Sequence, residues 1–218
     1  MRRVYIFFAV LLSSAVLVAP CASAWGKRPA KPKIDYFQSS YEAYRRKDYD
    51  AAIVYGKRAL REDRTSFDAA FLVAKAYWEK GGDTKAIGYL KKANRMNPND
   101  VRPWVSLGTV YRERGKIKIA IGYFEKVLAI DRDNALAASG LAQCYLALED
   151  YNNVIDYGKR AVERDPYDAP GHYALGLAYV KTDAQMAALE QYNILTQLDE
   201  PLAEKLLPKI KYNKFSLK

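Results

Sequence analysis

Apolar residues recur every three or four positions along most of the chain, which is the spacing of amphipathic helices. The stretch WVSLGTVYRERGKIKIAIGYFEKVLAI, residues 104–130, has two such runs on either side of Gly115. A glycine between two helical runs predicts a helical hairpin, because glycine readily takes the left-handed conformation that ends a helix. The same pattern returns upstream and downstream with substitutions. The pattern therefore predicts several hairpins in a row.

The recurrence has a fixed period of 34 residues. One column of aligned positions is alanine except at Val154, and another holds tyrosine in four units. These columns are Ala52, Ala86, Ala120, Val154 and Ala188, and Tyr77, Tyr111, Tyr145 and Tyr179. A single hairpin cannot bury its apolar face, whereas stacked neighbours bury it together. The period therefore predicts a solenoid of repeats.

The third unit carries the residues that identify a family. They are Trp104, Leu107, Gly108, Tyr111, Gly115, Ala120, Phe124 and Val127. On these residues the chain resembles the tetratricopeptide repeat (TPR) family, whose unit is two antiparallel helices in 34 residues. The resemblance covers about residues 33–201 and is weakest in the first unit, where Ser39 and Ala43 replace the usual leucine and tyrosine. It implies an all-α, right-handed superhelical solenoid of about five TPR hairpins plus a C-terminal capping helix.

The chain divides into four predicted parts. They are a signal peptide (1–24), a basic proline-containing linker (25–33), five TPR units (33–66, 67–100, 101–134, 135–168 and 169–201), and a capping helix with a basic tail (202–218). In the last part, Leu202, Leu206, Leu207 and Ile210 share roughly one helical face. We expect this helix to cover the last repeat and to end near Pro208, although a partner-binding helix is the alternative.

The first 24 residues have the pattern of an export signal. Arg2 and Arg3 precede an apolar run that is short for a membrane span, and Ala24 ends an A-x-A cleavage pattern. We expect a periplasmic or secreted protein cleaved after Ala24. A membrane anchor and lipidation at Cys21 are the minor alternatives. The chain has no N-x-[ST] glycosylation acceptor, which is a weak indication of a bacterial source.

Capping residues support the helix assignment. Ser66, Asp100, Asn134 and Asp168 each stand just before a predicted first helix, where their side-chain oxygens accept from free amides. By the same argument, Asp48 and Asp150 cap second helices. Gly81 and Gly115 stand where a first helix should end.

Residues typical of catalysis or metal binding are sparse. His172 is the single histidine and stands in the column of Trp104, so we expect a packed ring. Cys144 lies among apolar residues and should be a small buried side chain. Nucleophile-elbow, P-loop and dinucleotide-binding motifs are missing from the sequence. We therefore expect no enzyme activity, no metal and no cofactor.

The resemblance implies that the first helix of each unit lines a concave groove. The matching groove residues are Tyr41, Tyr44, Arg45, Phe71, Lys75, Trp78, Thr109, Arg112, Gln143, Leu146 and Tyr173. Aromatic rings interleaved with Lys and Arg favour a peptide that carries both apolar side chains and carboxylates. We expect Tyr44 and Trp78 to be exposed, while core packing explains Phe71 and Tyr173 equally well.

Charge is divided unevenly along a chain of formal net charge +10. Residues 33–134 carry 21 basic against 14 acidic residues, and residues 135–202 carry 4 against 10. The split favours separate partners at the two ends or self-association. Export and the split charge argue against nucleic acid, and the linker and tail suit an anionic envelope surface better. We expect a protein-binding scaffold or adaptor of the cell envelope, with a self-associating structural component as the alternative.

Overall fold

The computed structural model describes residues 34–210, and its helical unit begins at Asp35. The predicted signal peptide, Cys21, the linker up to Lys33 and the tail residues 211–218 lie outside the described residues. The expectations about export and about the charged ends therefore stay predictions.

Within residues 34–210 the chain forms eleven α-helices and no strand. Each of the five predicted units holds one pair of helices. The pairs are α1 (Tyr36–Arg45) with α2 (Tyr49–Glu62), α3 (Phe67–Glu79) with α4 (Asp83–Met96), α5 (Val101–Glu113) with α6 (Ile117–Ile130), α7 (Ala135–Ala147) with α8 (Tyr151–Arg164), and α9 (Ala169–Lys181) with α10 (Gln185–Leu198). Each helix packs mainly against its neighbours in the chain, and α7 also contacts α9. The expected all-α solenoid is confirmed.

Small residues let the helices approach one another around large side chains. Phe124 of α6 is 1% exposed and lies between α5 and α7. A Cβ atom added to Gly108 would come within 2.7 Å of the Phe124 ring, and one added to Gly140 would overlap the same ring. Three consecutive helices therefore pack around one phenylalanine, which links the third unit to the fourth.

Stacked tyrosines join the two helices within three of the units. The ring centroids lie 5.7 Å apart in the second unit, 5.3 Å in the third and 5.6 Å in the fourth. The pairs are Tyr77 with Tyr89, Tyr111 with Tyr123, and Tyr145 with Tyr157. Aromatic pairs at such separations add to the free energy of burial alone. The tyrosine column of the sequence is therefore part of the packing between paired helices.

Most of the predicted helix caps are present. The side chains of Ser66, Asp100 and Asn134 accept from amides of the following first turn, and those of Asp48 and Asp150 do so for second helices.

The expectation for Asp168 was wrong, because its side chain makes no capping hydrogen bond to α9. The carboxylate instead lies against Gly171, with Oδ2 buried and without a partner within residues 34–210.

The turn within each hairpin has one residue in the left-handed region. Gly81 and Gly115 adopt φ of 72° and 68°, as expected. Lys47, Glu149 and Asp183 take the same conformation at φ of 60°, 58° and 61°. These five positions are spaced by 34 residues, so the geometry of the hairpin imposes the conformation even where the residue is not glycine.

A short helix, α11 (Glu200–Leu206), and a 3₁₀ turn (Leu207–Lys209) cover the last pair of helices. Leu206 and Ile210 are buried against α9 and α10, while Leu202 and Leu207 are partly buried. Pro208 lies in the 3₁₀ turn that follows the helix. This cap removes an apolar end of the solenoid from water.

Two further expectations concern single buried residues, and both are confirmed. His172 is 5% exposed, and its ring nitrogens lie 2.7 Å from Gln191 Oε1 and 3.1 Å from the carbonyl oxygen of Pro166. Cys144 is fully buried, and burial raises the pKa of its thiol to about 11.

None of the helices between residues 34 and 210 combines the length and apolar character that crossing a bilayer requires.

Candidate functional site on the first helices

The eleven predicted groove residues lie on the first helices of the five pairs, α1, α3, α5, α7 and α9. Tyr41 and Arg45 are exposed, and the other nine side chains are partly buried. The expectation that Tyr44 and Trp78 are exposed was wrong. Each of them is covered by contacts with a neighbouring helix.

Tyr44 is held from three sides. Its ring packs on Tyr49, with centroids 5.6 Å apart, and Lys75 Nζ lies 5.0 Å from the ring centroid. Its hydroxyl donates to Glu79 Oε1 at 3.3 Å. Burial, followed by the negative charge and hydrogen bond of Glu79, raises the pKa of Tyr44 to about 12.

Trp78 repeats the hydrogen bond of Tyr44 one unit further along. Its indole Nε1–H donates to Glu113 Oε2 at 3.2 Å. In both cases an aromatic donor near the end of a first helix bonds a glutamate 35 residues later. Glu79 and Glu113 were not predicted as groove residues. The sequence did contain a signal for them, because each glutamate stands 35 residues after its aromatic partner, one residue more than the repeat period.

Arg112 occupies the same position in the third unit but has a different partner. Its Nη1 donates to Gln143 Oε1, and the Gln143 amide nitrogen in turn donates to Ser139 Oγ at 3.2 Å. Arg112 Nε is buried and has no hydrogen-bond partner in the described part of the chain. The hydrogen bond from a first-helix side chain to a glutamate of the next unit is therefore not formed in the third unit. Arg112 takes the place of the aromatic donor there and has no carboxylate partner in the described part of the chain.

Two of the remaining predicted residues are engaged in local packing. Phe71 stacks on Phe67 with ring centroids 6.0 Å apart, and the Arg102 guanidinium lies 5.4 Å from the Phe71 ring centroid. Thr109 donates its hydroxyl to the Val105 carbonyl of its own helix at 3.1 Å. Phe71 has no polar group to offer a ligand, and Thr109 uses its hydroxyl hydrogen within its own helix and can only accept a further hydrogen bond.

Two cavities open on the first helices of the last three units. The first, of about 390 Å³, is lined by Arg112, Gln143, Leu146, Ala147, Pro170, Tyr173, Ala174 and Leu202. The second, of about 540 Å³, is lined by Leu146, Tyr151, Tyr173, Leu177, Val180, Lys181 and Lys209. They share Leu146 and Tyr173, so the two cavities are adjacent, and we refer to them together as the joined concave surface. Four of the predicted residues line it: Arg112, Gln143, Leu146 and Tyr173.

This arrangement is suited to binding a ligand. The cavities present apolar side chains with a few cationic and amide groups, which is the usual lining of a recognition site. Within residues 34–210 no three His, Cys, Asp or Glu side chains are grouped so that they could hold a metal ion.

Stacked helical hairpins with a concave inner face define a class of repeat proteins. Sequence models of the tetratricopeptide repeat match residues 43–109 and residues 105–169. The chain belongs to the tetratricopeptide repeat family. Proteins of this family generally mediate protein–protein interactions.

Curated relatives are similar over part of their length. Human superkiller complex protein 3 is 28% identical over 122 residues, which are 53% of this chain and 8% of that protein. TPR repeat-containing protein MJ1428 of Methanocaldococcus jannaschii is 25% identical over 187 residues, 77% of this chain and 32% of that protein. The chain thus spans less than a third of either relative.

Solved structures match over most of both chains. MamA from Desulfovibrio magneticus RS-1, residues 41 to the end, superposes with a TM-score of 0.67 at 23% identity, covering 76% of this chain and 94% of that one. YrrB, described as a TPR protein with an unusual peptide-binding site, superposes with a TM-score of 0.63 at 19% identity, covering 79% and 90%. At such identities these likenesses show the fold alone.

Proposed function

We propose that this protein is an exported, non-enzymatic scaffold or adaptor of the cell envelope that binds segments of partner proteins along its first helices. The observation that carries the proposal is the joined concave surface around Leu146 and Tyr173. A surface of this size that is lined by apolar, aromatic and cationic side chains is suited to binding a peptide. The peptide-binding site named for YrrB is consistent with it.

Site-specific crosslinking in cells tests the proposal. A photoreactive amino acid at position 146 should form an adduct with a partner, which mass spectrometry identifies and purified components then bind again. The control places the same amino acid at Met186, which is 79% exposed on α10. Adducts at both positions, or at neither, contradict binding by the groove.

The export part of the proposal rests on residues 1–24 and has its own test. We expect the mature protein in the envelope fraction to begin at Trp25, as read by N-terminal sequencing. A mass increase at Cys21 from an attached lipid would indicate lipidation instead of cleavage after Ala24. Retention of residues 1–24 would indicate a membrane anchor. In each case the linker and tail would still offer basic charge to an anionic envelope surface.

Self-association is a second candidate, favoured by the charge split between residues 33–134 and residues 135–202. Opposite charges on two copies attract each other and are screened by salt. Sedimentation of the purified protein over a salt series should then show oligomers that dissociate as salt rises. A monomer at every salt concentration excludes this candidate.

A further inference from the structure

The joined concave surface is lined by apolar and aromatic side chains together with three cations. Leu146, Tyr173, Leu177 and Val180 are among its apolar and aromatic lining residues. Arg112 lines the first cavity, and Lys181 and Lys209 line the second. No carboxylate lines either cavity, although residues 135–202 carry 10 acidic and 4 basic residues. The acidic side chains of this half of the chain therefore lie away from the surface.

The arginines that pair with a carboxylate in the described chain are exposed, whereas Arg112 is partly buried and has no such partner. Arg102 pairs with Asp100 at 2.7 Å and Arg164 pairs with Asp133 at 2.7 Å. Within the described chain, Arg112 forms no ion pair and its hydrogen-bond partner is the neutral Gln143 amide. A guanidinium has five N–H donors, so a partly buried one bonded to a single neutral acceptor is incompletely satisfied.

The nearest candidate carboxylate in the sequence is engaged elsewhere. Glu113 follows Arg112 on α5, but its carboxylate accepts from the Trp78 indole at 3.2 Å. The equivalent glutamate of the second unit, Glu79, likewise accepts from Tyr44. The chain thus leaves Arg112 in the cavity wall without a carboxylate of its own.

We infer that the segment bound here has apolar side chains flanked by carboxylates. One carboxylate pairs with Arg112, and the other faces Lys181 and Lys209, while the apolar side chains lie over Leu146 and Tyr173. A carboxylate forms charge-assisted hydrogen bonds to a guanidinium, which are stronger than bonds between neutral groups. This inference rests on the proposed function, because it specifies the peptide that the groove takes.

Selection from a random dodecapeptide library displayed on phage tests the inference on the full chain. We expect enrichment of peptides with apolar residues between Asp or Glu residues. Enrichment of neutral or basic peptides overturns the inference and leaves groove binding standing. An absence of any enrichment overturns both, so the two failures are distinguishable.

Fluorescence anisotropy of the most enriched peptide then assigns the role of Arg112. Arg112→Gln should weaken binding about tenfold, because a hydrogen bond to a charged group is lost. The control is Arg61→Gln, since Arg61 is exposed on α2 and lies outside both cavities. Equal affinities for Arg112→Gln and the unchanged protein overturn the inference.

A peptide in which each Asp or Glu is replaced by Asn or Gln gives a readout that is independent of folding. It should bind the unchanged protein about tenfold more weakly than the acidic peptide. The peptide carboxylate and Arg112 act as one pair. Arg112→Gln and the neutral peptide together should therefore lower the binding free energy by less than the sum of their separate effects. Additive losses would mean that Arg112 does not contact the carboxylate.

Discussion

The indole Nε1–H of Trp78 donates to Glu113 Oε2 in the following repeat, at 3.2 Å. Tyr44 and Glu79 form the corresponding bond at 3.3 Å between the first and second units. The two bonds join successive first helices along the face that carries the predicted groove residues. Aromatic side chains that resembled free ligand contacts therefore also connect the repeats.

The first prediction concerns the stabilising contribution of this bond. Trp78→Phe retains a ring but removes the donor, and should lower the free energy of unfolding by about 1 kcal/mol more than the same change made in a Glu113→Ala protein. Urea unfolding of the four proteins gives the comparison. An equal effect of Trp78→Phe in both backgrounds would show that the bond contributes nothing.

The second prediction concerns the Tyr44 phenol, whose pKa is raised to about 12 mainly by burial. The folded state favours the neutral phenol, so this contribution to stability is complete below the unfolded pKa of about 10 and is lost as pH rises from about 10 towards 12. Glu79→Gln should lower the pKa of Tyr44 yet leave it above the ordinary value, because burial remains.

Carbon-13 NMR of the labelled tyrosine ring carbons measures this pKa, and Tyr44→Phe assigns the signal. A Tyr44 pKa that does not change in Glu79→Gln would show that the carboxylate has no influence. A pKa near the ordinary value in the unchanged protein would contradict burial as the main cause.

The third prediction compares two glycines around Phe124. Gly140→Ala should lower the free energy of unfolding by about 1–3 kcal/mol, because the added methyl group overlaps the buried ring of Phe124. Gly122→Ala is the matched control, since nothing lies within 4 Å of a Cβ there. It should raise stability by up to about 1 kcal/mol through helix propensity. Thermal unfolding separates the two, and equal shifts would refute the packing argument.

The fourth prediction tests the capping helix. Leu206 is fully buried against the last repeat, so Leu206→Ala should lower the free energy of unfolding by about 2–5 kcal/mol. Lys205→Ala, on the exposed side of the same helix, should change stability by less than about 0.5 kcal/mol. Urea unfolding again provides the measurement. A small effect of Leu206→Ala would mean that the helix does not cover the solenoid end.

The helices and their stacking were predictable from the sequence because their determinants are local. Apolar spacing marks one face of each helix, and Ser66 and Asn134 mark starts by hydrogen bonds that span three residues. The period of 34 residues then requires equivalent packing in each unit. Asp168 is the exception, since its carboxylate lies against Gly171 and makes no capping hydrogen bond.

The contents of the groove were predictable only in part. The family pattern indicates which residues lie on the first helices, and Arg112, Gln143, Leu146 and Tyr173 do line a joined surface. The family pattern does not indicate that Trp78 donates a hydrogen bond to a glutamate of the next repeat.

The sequence by itself determined that the chain is a stack of helical hairpins with a cap. Helix periodicity and capping side chains act over a few residues, and the small-residue columns recur with a fixed period of 34 residues. Only the tertiary structure decided which side chains of different repeats meet. That depends on how one pair of helices lies on the next. In this packing Trp78 donates a hydrogen bond to the carboxylate of Glu113, whereas Arg112 donates to the neutral amide of Gln143.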